Sequence, residues 1–181
     1  MAKKFIDKTA FKKSLKYSGH IQVFCDEPGT INIIQGHYML QVPAIFYGQY
    51  LQDAVGIPLI SLAPGDSYII RGGEITKSPD HINIKTLIGS DDYDVKVTKT
   101  RLILDDKYGL FTWGNVLAMY DKLYLSILPG ATFTTTPKNK GIGLMKLEDM
   151  GCTMYLLPVR MQDPTRSELR DILQVLSTPA K

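Results

Sequence analysis

Apolar and β-branched residues occur along this chain mostly in short runs, and turn-forming residues separate the runs. Residues 21–24 and 30–34 are two such runs, and the Pro28-Gly29 pair between them suits a tight turn, which predicts a hairpin. Further strands are predicted over 67–71, 82–88, 94–104, 110–120, 131–136, 143–147 and 153–159, with a hairpin loop at 105–109. This pattern predicts an α+β fold that is predominantly antiparallel β-sheet.

Two to four helices accompany the strands in this prediction. Asp163 suits the N-cap of a C-terminal helix, and Pro164 suits its first position. The apolar residues of that helix recur at helical spacing and form one stripe: Leu169, Ile172, Leu173 and Leu176. The sequence therefore predicts a C-terminal amphipathic helix, whose stripe packs on the protein's own sheet or, as the alternative, binds a partner.

An N-terminal helix is predicted from an N-cap at Thr9 to about Tyr17. Phe11 and Leu15 stand four residues apart in it, so both fall on the face that we expect to be buried. Two further helices, the second of them short, are predicted over 45–55 and 121–128.

Length and composition fit one ordinary domain. The chain has 181 residues, of which 44% are hydrophobic, and this is enough to bury a core without metals or disulfides. A glycine, a serine and two aspartates at 89–92 mark the best candidate for a division. We therefore predict a single domain over residues 1–181, with two β-rich halves that meet near 89–93 as the alternative.

Charge is concentrated locally in this chain. The formal net charge is only +3, which argues against a field from the whole protein that attracts nucleic acid. Lysines are nevertheless dense at the N-terminus, and the predicted helix directs three of them outward: Lys12, Lys13 and Lys16. This basic face is a candidate binding surface, and a merely solvated helix surface is the alternative interpretation.

No segment resembles a signal peptide or a membrane-spanning helix. The first sixteen residues are basic but lack an apolar run, and no later stretch reaches the roughly 20 apolar residues that span a bilayer. We therefore expect a cytoplasmic protein that has no membrane partner.

Residues with catalytic chemistry are sparse. The three histidines, His20, His37 and His81, do not stand at metal-binding spacing from one another or from a cysteine, so we expect no metal and no cofactor. Cys25 and Cys152 are expected to be small buried thiols rather than nucleophiles or a disulfide. Binding is therefore favoured over catalysis, and an enzyme that uses Cys25 or a histidine is the alternative.

Two other patterns have the composition of contacts for nucleic acid or phosphate. Glycine-rich segments at 71–74 and 138–143 match no phosphate-loop spacing, and hairpin turns explain both. Four aromatic residues would suit base stacking, although packing in the core is the favoured interpretation: Tyr38, Phe46, Tyr47 and Tyr50.

Two segments resemble parts of the bacterial DNA sliding clamps. The segment Lys4-Phe5-Ile6-Asp7-Lys8-Thr9-Ala10-Phe11-Lys12-Lys13-Ser14-Leu15 resembles their first strand and helix. The segment Met154-Tyr155-Leu156-Leu157-Pro158-Val159-Arg160 is similar to the strand on which those clamps end, with matches at Tyr155, Pro158 and Arg160. The chain is shorter than the three-domain subunit of that family, and it continues into a further predicted helix.

The resemblance implies a DNA-associated, clamp-like accessory protein. The three lysines of the basic face would then make sequence-independent phosphate contacts. Leu157, Pro158 and Val159 would border a groove for a partner peptide. Two alternatives stand beside this hypothesis: a protein-interaction module of a phage or mobile element that engages a host protein, and a small-ligand binder or enzyme.

Overall fold

The structure is a computed structural model that describes residues 6–79, 84–89, 92–114, 116–136, 144–161 and 163–177. It contains two sheets, in which every strand pair is antiparallel, together with several helices. The predicted α+β class with predominantly antiparallel sheet is therefore confirmed.

The larger sheet has nine strands. Their bounds are β1 Ile21–Phe24, β2 Thr30–Gln35, β3 Tyr38–Pro43, β4 Ser67–Arg71, β5 Glu74–Lys77, β6 Val95–Lys96, β10 Thr132–Thr135, β11 Met145–Asp149 and β12 Cys152–Leu156. They lie in the order β5-β4-β1-β2-β3-β12-β11-β10-β6. Because β12 pairs with both β3 and β11, strands from either side of residues 89–93 belong to the same sheet.

The smaller sheet has three strands, in the order β7-β8-β9. Their bounds are β7 Thr98–Leu104, β8 Tyr108–Trp113 and β9 Val116–Asp121. The chain that follows β12 reaches this sheet, where the backbone N–H of Val159 donates to the carbonyl of Met119 at 2.8 Å. The end of β12 is thereby tied to both sheets.

The helices are short, apart from the first and the last. Their bounds are α1 Lys8–Lys16, α2 Ala44–Phe46, α3 Gln52–Val55, α4 Ile84–Ile88, α5 Lys122–Leu125 and α6 Asp163–Ser177. A π-helical turn, Tyr47–Leu51, joins α2 to α3 into one segment. The described residues thus hold five separate helices, one above the expected range, and none of these helices has the length and apolar composition to cross a bilayer.

α1 begins two residues earlier than predicted, because Asp7 and not Thr9 is its N-cap. The Asp7 carboxylate accepts the backbone N–H of Thr9 at 2.8 Å and that of Ala10 at 3.0 Å. These are two of the donors that the first turn of a helix leaves unsatisfied. The inward orientation of Phe11 is confirmed, since its side chain has no exposed surface, and Leu15 is half-buried.

One hydrophobic core joins α1 to both sheets. Fully buried side chains come from α1 (Phe11), the larger sheet (Leu40 and Leu147) and the smaller sheet (Phe111 and Tyr120). Burying a side chain of this size contributes about 1.5–3 kcal/mol. The core therefore holds α1 firmly in place against the sheets.

Two of the predicted strands are wrong. Residues 110–113 and 116–120 belong to two paired strands, β8 and β9, and not to one strand, because the chain turns at Gly114, whose φ is +52°. Ile84–Ile88 is helical, and residues 82–83 lie outside the described part. β3 and β5 were not predicted, and residue 97 divides the predicted strand over 94–104 into β6 and β7.

α6 covers the predicted C-terminal helix. Leu169 and Leu173 are half-buried, whereas Ile172 is 46% exposed. Leu173 lines a concavity together with Leu117 of the β8–β9 hairpin, so the helix lies beside the smaller sheet at this point. The side chains of Pro164 and Leu176 lie outside the described part, and the amphipathic pattern as a whole stays a prediction.

Candidate functional site

The basic face of α1 lies on the outside of the protein. With 3.6 residues per turn, Lys12, Lys13 and Lys16 fall within an arc of about 100°, and all three are exposed. The opposite side of the helix is buried through Ala10, Phe11 and Ser14. The fold therefore presents the three ammonium groups to solvent in one direction.

These three lysines have no acidic partner among the residues that the structure describes. α1 itself contains no acid. Lys8 differs from them, because its ammonium donates to the carbonyl of Gln49 at 3.3 Å and lies 4.8 Å from the centre of the Tyr50 ring. The basic face thus consists of cations without an internal partner in the described part of the chain, apart from the favourable position of Lys13 and Lys16 near the C-terminal end of the helix.

A buried polar network anchors α1 to the larger sheet. The Ser14 hydroxyl donates to the carbonyl of Phe11 at 2.7 Å, so its oxygen is left to accept the hydroxyl of Tyr38 at 2.8 Å. Gln35 donates through Nε2 to the carbonyl of Ser14 at 3.2 Å. Burial raises the pKa of Tyr38, which therefore stays protonated and able to donate. These bonds fix the direction in which the basic face points.

A groove of about 840 Å³ lies beside the end of α1. Five parts of the chain line it: the end of α1 with Lys13 and Tyr17, the β2–β3 turn with His37, the β7–β8 turn at 105–108, α5 with its cap at 121–126, and Val159. We call this concavity the α1–α5 groove. Both Tyr17 and Tyr124 line the groove; Tyr17 is 65% exposed, whereas Tyr124 is buried.

The cations on the far side of the α1–α5 groove are engaged within the fold. The Lys107 ammonium lies 3.6 Å from the Asp121 carboxylate and 4.8 Å from the centre of the Tyr108 ring. Lys122 donates to the backbone carbonyl of Asp106 at 3.0 Å. Asp121 also caps α5 by accepting the N–H of Leu123 at 2.8 Å. These charges hold the β7–β8 turn against α5.

The β7–β8 turn holds two acids in an uncommon backbone conformation. Asp105 and Asp106 both have φ of +52°, as the two central residues of a type I′ hairpin turn require. Aspartate tolerates this conformation better than most residues, because its short side chain bonds locally. Nearby, the His37 ring stacks on Tyr124 with centroids 5.3 Å apart, which fixes the imidazole at the edge of the groove.

The segment 157–159 runs along this region. The N–H of Leu157 donates to the carbonyl of His37 at 2.9 Å, and its side chain is 46% exposed. Pro158 is half-buried, and Val159 lines the α1–α5 groove together with Lys13. Lys13 of the basic face and Val159 of the predicted partner-binding segment thus line the same groove. Of the other two matched positions, Tyr155 is buried in β12 and Arg160 is exposed.

The cysteines are buried and free, as expected. Burial raises the pKa of Cys25, with a further contribution from nearby acids, and raises the pKa of Cys152 to about 11. A nucleophilic cysteine needs a lowered pKa, so neither thiol is suited to catalysis at neutral pH. His20 accepts a hydrogen bond from Arg71 at 2.9 Å, and His81 lies outside the described residues. No group of three or more potential metal ligands occurs in the described part of the chain.

The other two predicted patterns are structural where they are described. Tyr38 and Tyr47 are buried in the core, and Phe46 packs edge-on against Tyr50 with centroids 6.2 Å apart. Residues 71–74 form the β4–β5 hairpin turn, with both glycines at positive φ. Residues 138–143 lie outside the described part. Core packing and a hairpin turn therefore explain these residues, as expected.

Sequence reasoning missed the α1–α5 groove and the side chains of Tyr17 and Tyr124. A local pattern could have pointed to Tyr17, which follows Lys13 by four residues and so shares its side of the helix. The other walls come from distant parts of the chain, and only the tertiary structure brings them together.

No protein-family model matches this chain, and comparison with curated proteins gives no match. What the protein does must therefore be inferred from its own residues.

Proposed function

We propose that the protein is a non-catalytic binding protein that contacts the backbone of DNA through the basic face of α1. One observation carries this proposal: Lys12, Lys13 and Lys16 are exposed together on a firmly anchored helix, and no acid in the described residues pairs with them. Cations arranged in this way attract phosphates, and the release of counterions favours binding whatever the base sequence.

The proposed DNA contact is tested by reversing the charge of the basic face. Each phosphate contact contributes about −0.9 to the slope of log K against log salt for duplex DNA, so three contacts give a slope of about −3. In the triple variant Lys12→Glu, Lys13→Glu and Lys16→Glu we expect the affinity at about 50 mM salt to fall at least tenfold and the slope to approach zero. Fluorescence anisotropy of a labelled duplex measures both quantities.

A matched control separates the position of the charges from their number. Lys96, Lys99 and Arg101 are exposed on β6 and β7, and reversing them changes the net charge by the same amount as the α1 variant. The control variant is expected to keep most of the wild-type affinity. Equal losses in the two variants would mean that only the overall charge matters, and an unchanged affinity in the α1 variant would contradict the proposal.

A clamp-like accessory role extends this proposal. Its support is the resemblance of residues 4–15 and 154–160 to the sliding clamps, together with the shared position of Lys13 and Val159 in the α1–α5 groove. A ring around DNA needs more than one copy of so short a chain. Light scattering is therefore expected to give an oligomeric mass, and a monomer at every concentration contradicts the ring.

A protein-interaction module is the second candidate function. The observation that favours it is Leu157, an apolar side chain 46% exposed on backbone that is held by the bond to His37. Exposed apolar anchors beside a groove suit a partner peptide, and such contacts are screened by salt much less than phosphate contacts are. A phage or mobile-element protein that engages a host protein would act in this way.

The second candidate is tested with immobilised wild-type protein and the variant Leu157→Asp. A partner retained by the wild type in about 1 M salt, where the Debye length is only about 3 Å, and lost with the variant supports it. The variant Leu87→Asp is the control, because Leu87 is 52% exposed on α4. Equal retention by the wild type and Leu157→Asp rules out a contact through residue 157.

A further inference from the structure

The α1–α5 groove joins aromatic rings, hydrogen-bond acceptors and one cation of the basic face in a single concavity. Lys13 and Tyr17 stand on its α1 side, four residues apart and hence about one helical turn, or 5.4 Å, from each other. An exposed ring next to cations is the combination that proteins use to bind single-stranded nucleic acid, with the bases stacked on the rings and the backbone on the cations.

We propose that the α1–α5 groove binds an unpaired base of single-stranded nucleic acid, with Tyr17 as its stacking surface. This inference rests on the proposed function, because the basic face must hold the backbone for a base to reach Tyr17. It goes beyond that function by specifying that the ligand is single-stranded and that one of its bases binds in the groove.

Tyr17 is available for such a contact. The residue is 65% exposed although it follows the C-terminal turn of a well-anchored helix, where its backbone N–H closes the helix on Ser14 and Leu15. The backbone is therefore fixed, while most of the residue's surface is open to solvent beside the groove that it lines. Stacking a base on this ring covers apolar surface that the fold leaves uncovered.

His37 supplies a second flat surface. Its ring is held by the stack on Tyr124 with an interplanar angle of 29°, and its residue is exposed. Both His37 and Tyr17 line the groove, whose volume of about 840 Å³ leaves ample room for a nucleotide. A base that enters the groove can thus contact two ring surfaces.

The acids of the β7–β8 turn orient the ligand. Asp105, Asp106 and Asp121 line this wall of the groove together with Lys107 and Lys122. The acids outnumber the lysines by one, so phosphate is favoured on the basic face of α1 and not on this wall. A carboxylate also accepts hydrogen bonds from the amino group of a base, as aspartate does from N4 of cytosine. The groove therefore favours a base that carries an amino group over thymine.

A paired base cannot use this site. In a duplex both faces of each base are covered by neighbouring base pairs, and its Watson–Crick edge is occupied by the partner strand. Duplex DNA can still contact the lysines, since phosphate contacts do not depend on the bases. The two modes of binding therefore differ in their need for the groove.

The test compares four labelled ligands of about twelve nucleotides at about 50 mM salt: oligo-dC, oligo-dT, an abasic single strand with the same number of phosphates, and a duplex. We expect the wild type to bind oligo-dC about tenfold more tightly than the abasic strand. Oligo-dT is expected to bind more weakly than oligo-dC. Tyr17→Leu should abolish the preference for oligo-dC over the abasic strand, and Tyr17→Phe, which keeps the ring, should retain it.

The outcomes distinguish this inference from the proposed function. Equal affinity of the wild type for oligo-dC and the abasic strand overturns the base site, and the proposed function survives if the triple lysine variant still loses both ligands. A Tyr17→Leu variant that keeps its oligo-dC affinity but loses a partner bound in high salt would assign the groove to a peptide and overturn the inference. Absence of all nucleic-acid binding contradicts both proposals.

Discussion

The lysines of the basic face on α1 and the lysines beside the β7–β8 turn carry the same charge but differ in what surrounds them. Lys107 and Lys122 are engaged within the fold, by a carboxylate, a ring face and a backbone carbonyl. Lys12, Lys13 and Lys16 have no acidic partner in the described residues and stand on a helix that is anchored from its other side. The fold therefore anchors α1 firmly, although among the described residues only Lys8 of its four lysines has a polar or aromatic partner inside the protein.

The difference separates charges that stabilise the fold from charges that are free for a ligand. A cation with an internal partner is explained by the structure that it supports. Three of the four lysines of α1, those of the basic face, are only weakly explained in that way. A cation near the C-terminal end of a helix, as at Lys13 and Lys16, contributes about 0.3–1 kcal/mol when it is exposed. A function outside the fold is therefore expected for the α1 lysines and is not needed for the others.

Removing the anchor of α1 should lower the stability of the protein the most. Phe11→Ala removes a side chain with no exposed surface, so we expect the free energy of unfolding to fall by about 3–5 kcal/mol. Urea denaturation measures it. Tyr17→Ala, at a residue that is 65% exposed, is the control and should stay within about 0.5 kcal/mol of the wild type. Similar losses in both variants would mean that α1 is not anchored as described.

Breaking the polar network under α1 should have the next largest effect. Ser14→Ala leaves the buried Tyr38 hydroxyl without the oxygen that accepts it, at an expected cost of about 1–3 kcal/mol. The double variant Ser14→Ala, Tyr38→Phe removes both partners and should recover part of this loss in the same denaturation experiment. If the double variant loses more stability than the two single variants lose together, Ser14 and Tyr38 do not act as a pair.

Removing the cap of α1 should cost less. Asp7→Ala deletes the acceptor for two backbone N–H groups, and such substitutions typically cost about 1 kcal/mol. Asp7→Asn keeps a capping oxygen and is expected to retain most of the stability. If Asn is as destabilising as Ala in thermal unfolding, the charge of Asp7 and not its cap is the stabilising feature.

Single substitutions of the two kinds of lysine should change the stability of the protein the least. Lys107→Ala removes the pair with Asp121, and a partly exposed ion pair of this kind is worth about 0.2–1 kcal/mol. Lys12→Ala should leave the stability within about 0.5 kcal/mol of the wild type. Added salt should reduce the effect of Lys107→Ala. A larger loss of stability from Lys12→Ala than from Lys107→Ala would reverse the comparison.

Much of the fold could be predicted where local chemistry decides it. The β1–β2 hairpin follows from Pro28-Gly29, and α1 follows from the spacing of Phe11 and Leu15. The N-cap was misassigned because Asp7 and Thr9 are both good capping residues, and local sequence does not say which one leaves the helical conformation. The β8–β9 turn was missed because apolar residues continue through Gly114 on both sides.

The candidate site was only partly predictable. The outward orientation of the basic face follows from helical periodicity alone, and the structure confirms that all three lysines are exposed. The α1–α5 groove could not be predicted from periodicity. His37, Asp106 and Tyr124 come from distant parts of the chain, and only the packing of the sheets brings them to one groove. Contacts between residues so far apart in the chain produce no periodic pattern in the sequence.

The insertion of β12 between β3 and β11 has a consequence for synthesis of the protein on the ribosome. β3 leaves the exit tunnel early, but its partner strand is among the last parts of the sheet to appear. Until residues 152–156 emerge, the outer edge of β3 presents unpaired backbone groups, which are a template for pairing with other chains. Translation speed and chaperone access during this interval should therefore affect the yield of native protein more than changes at the surface of the finished fold do.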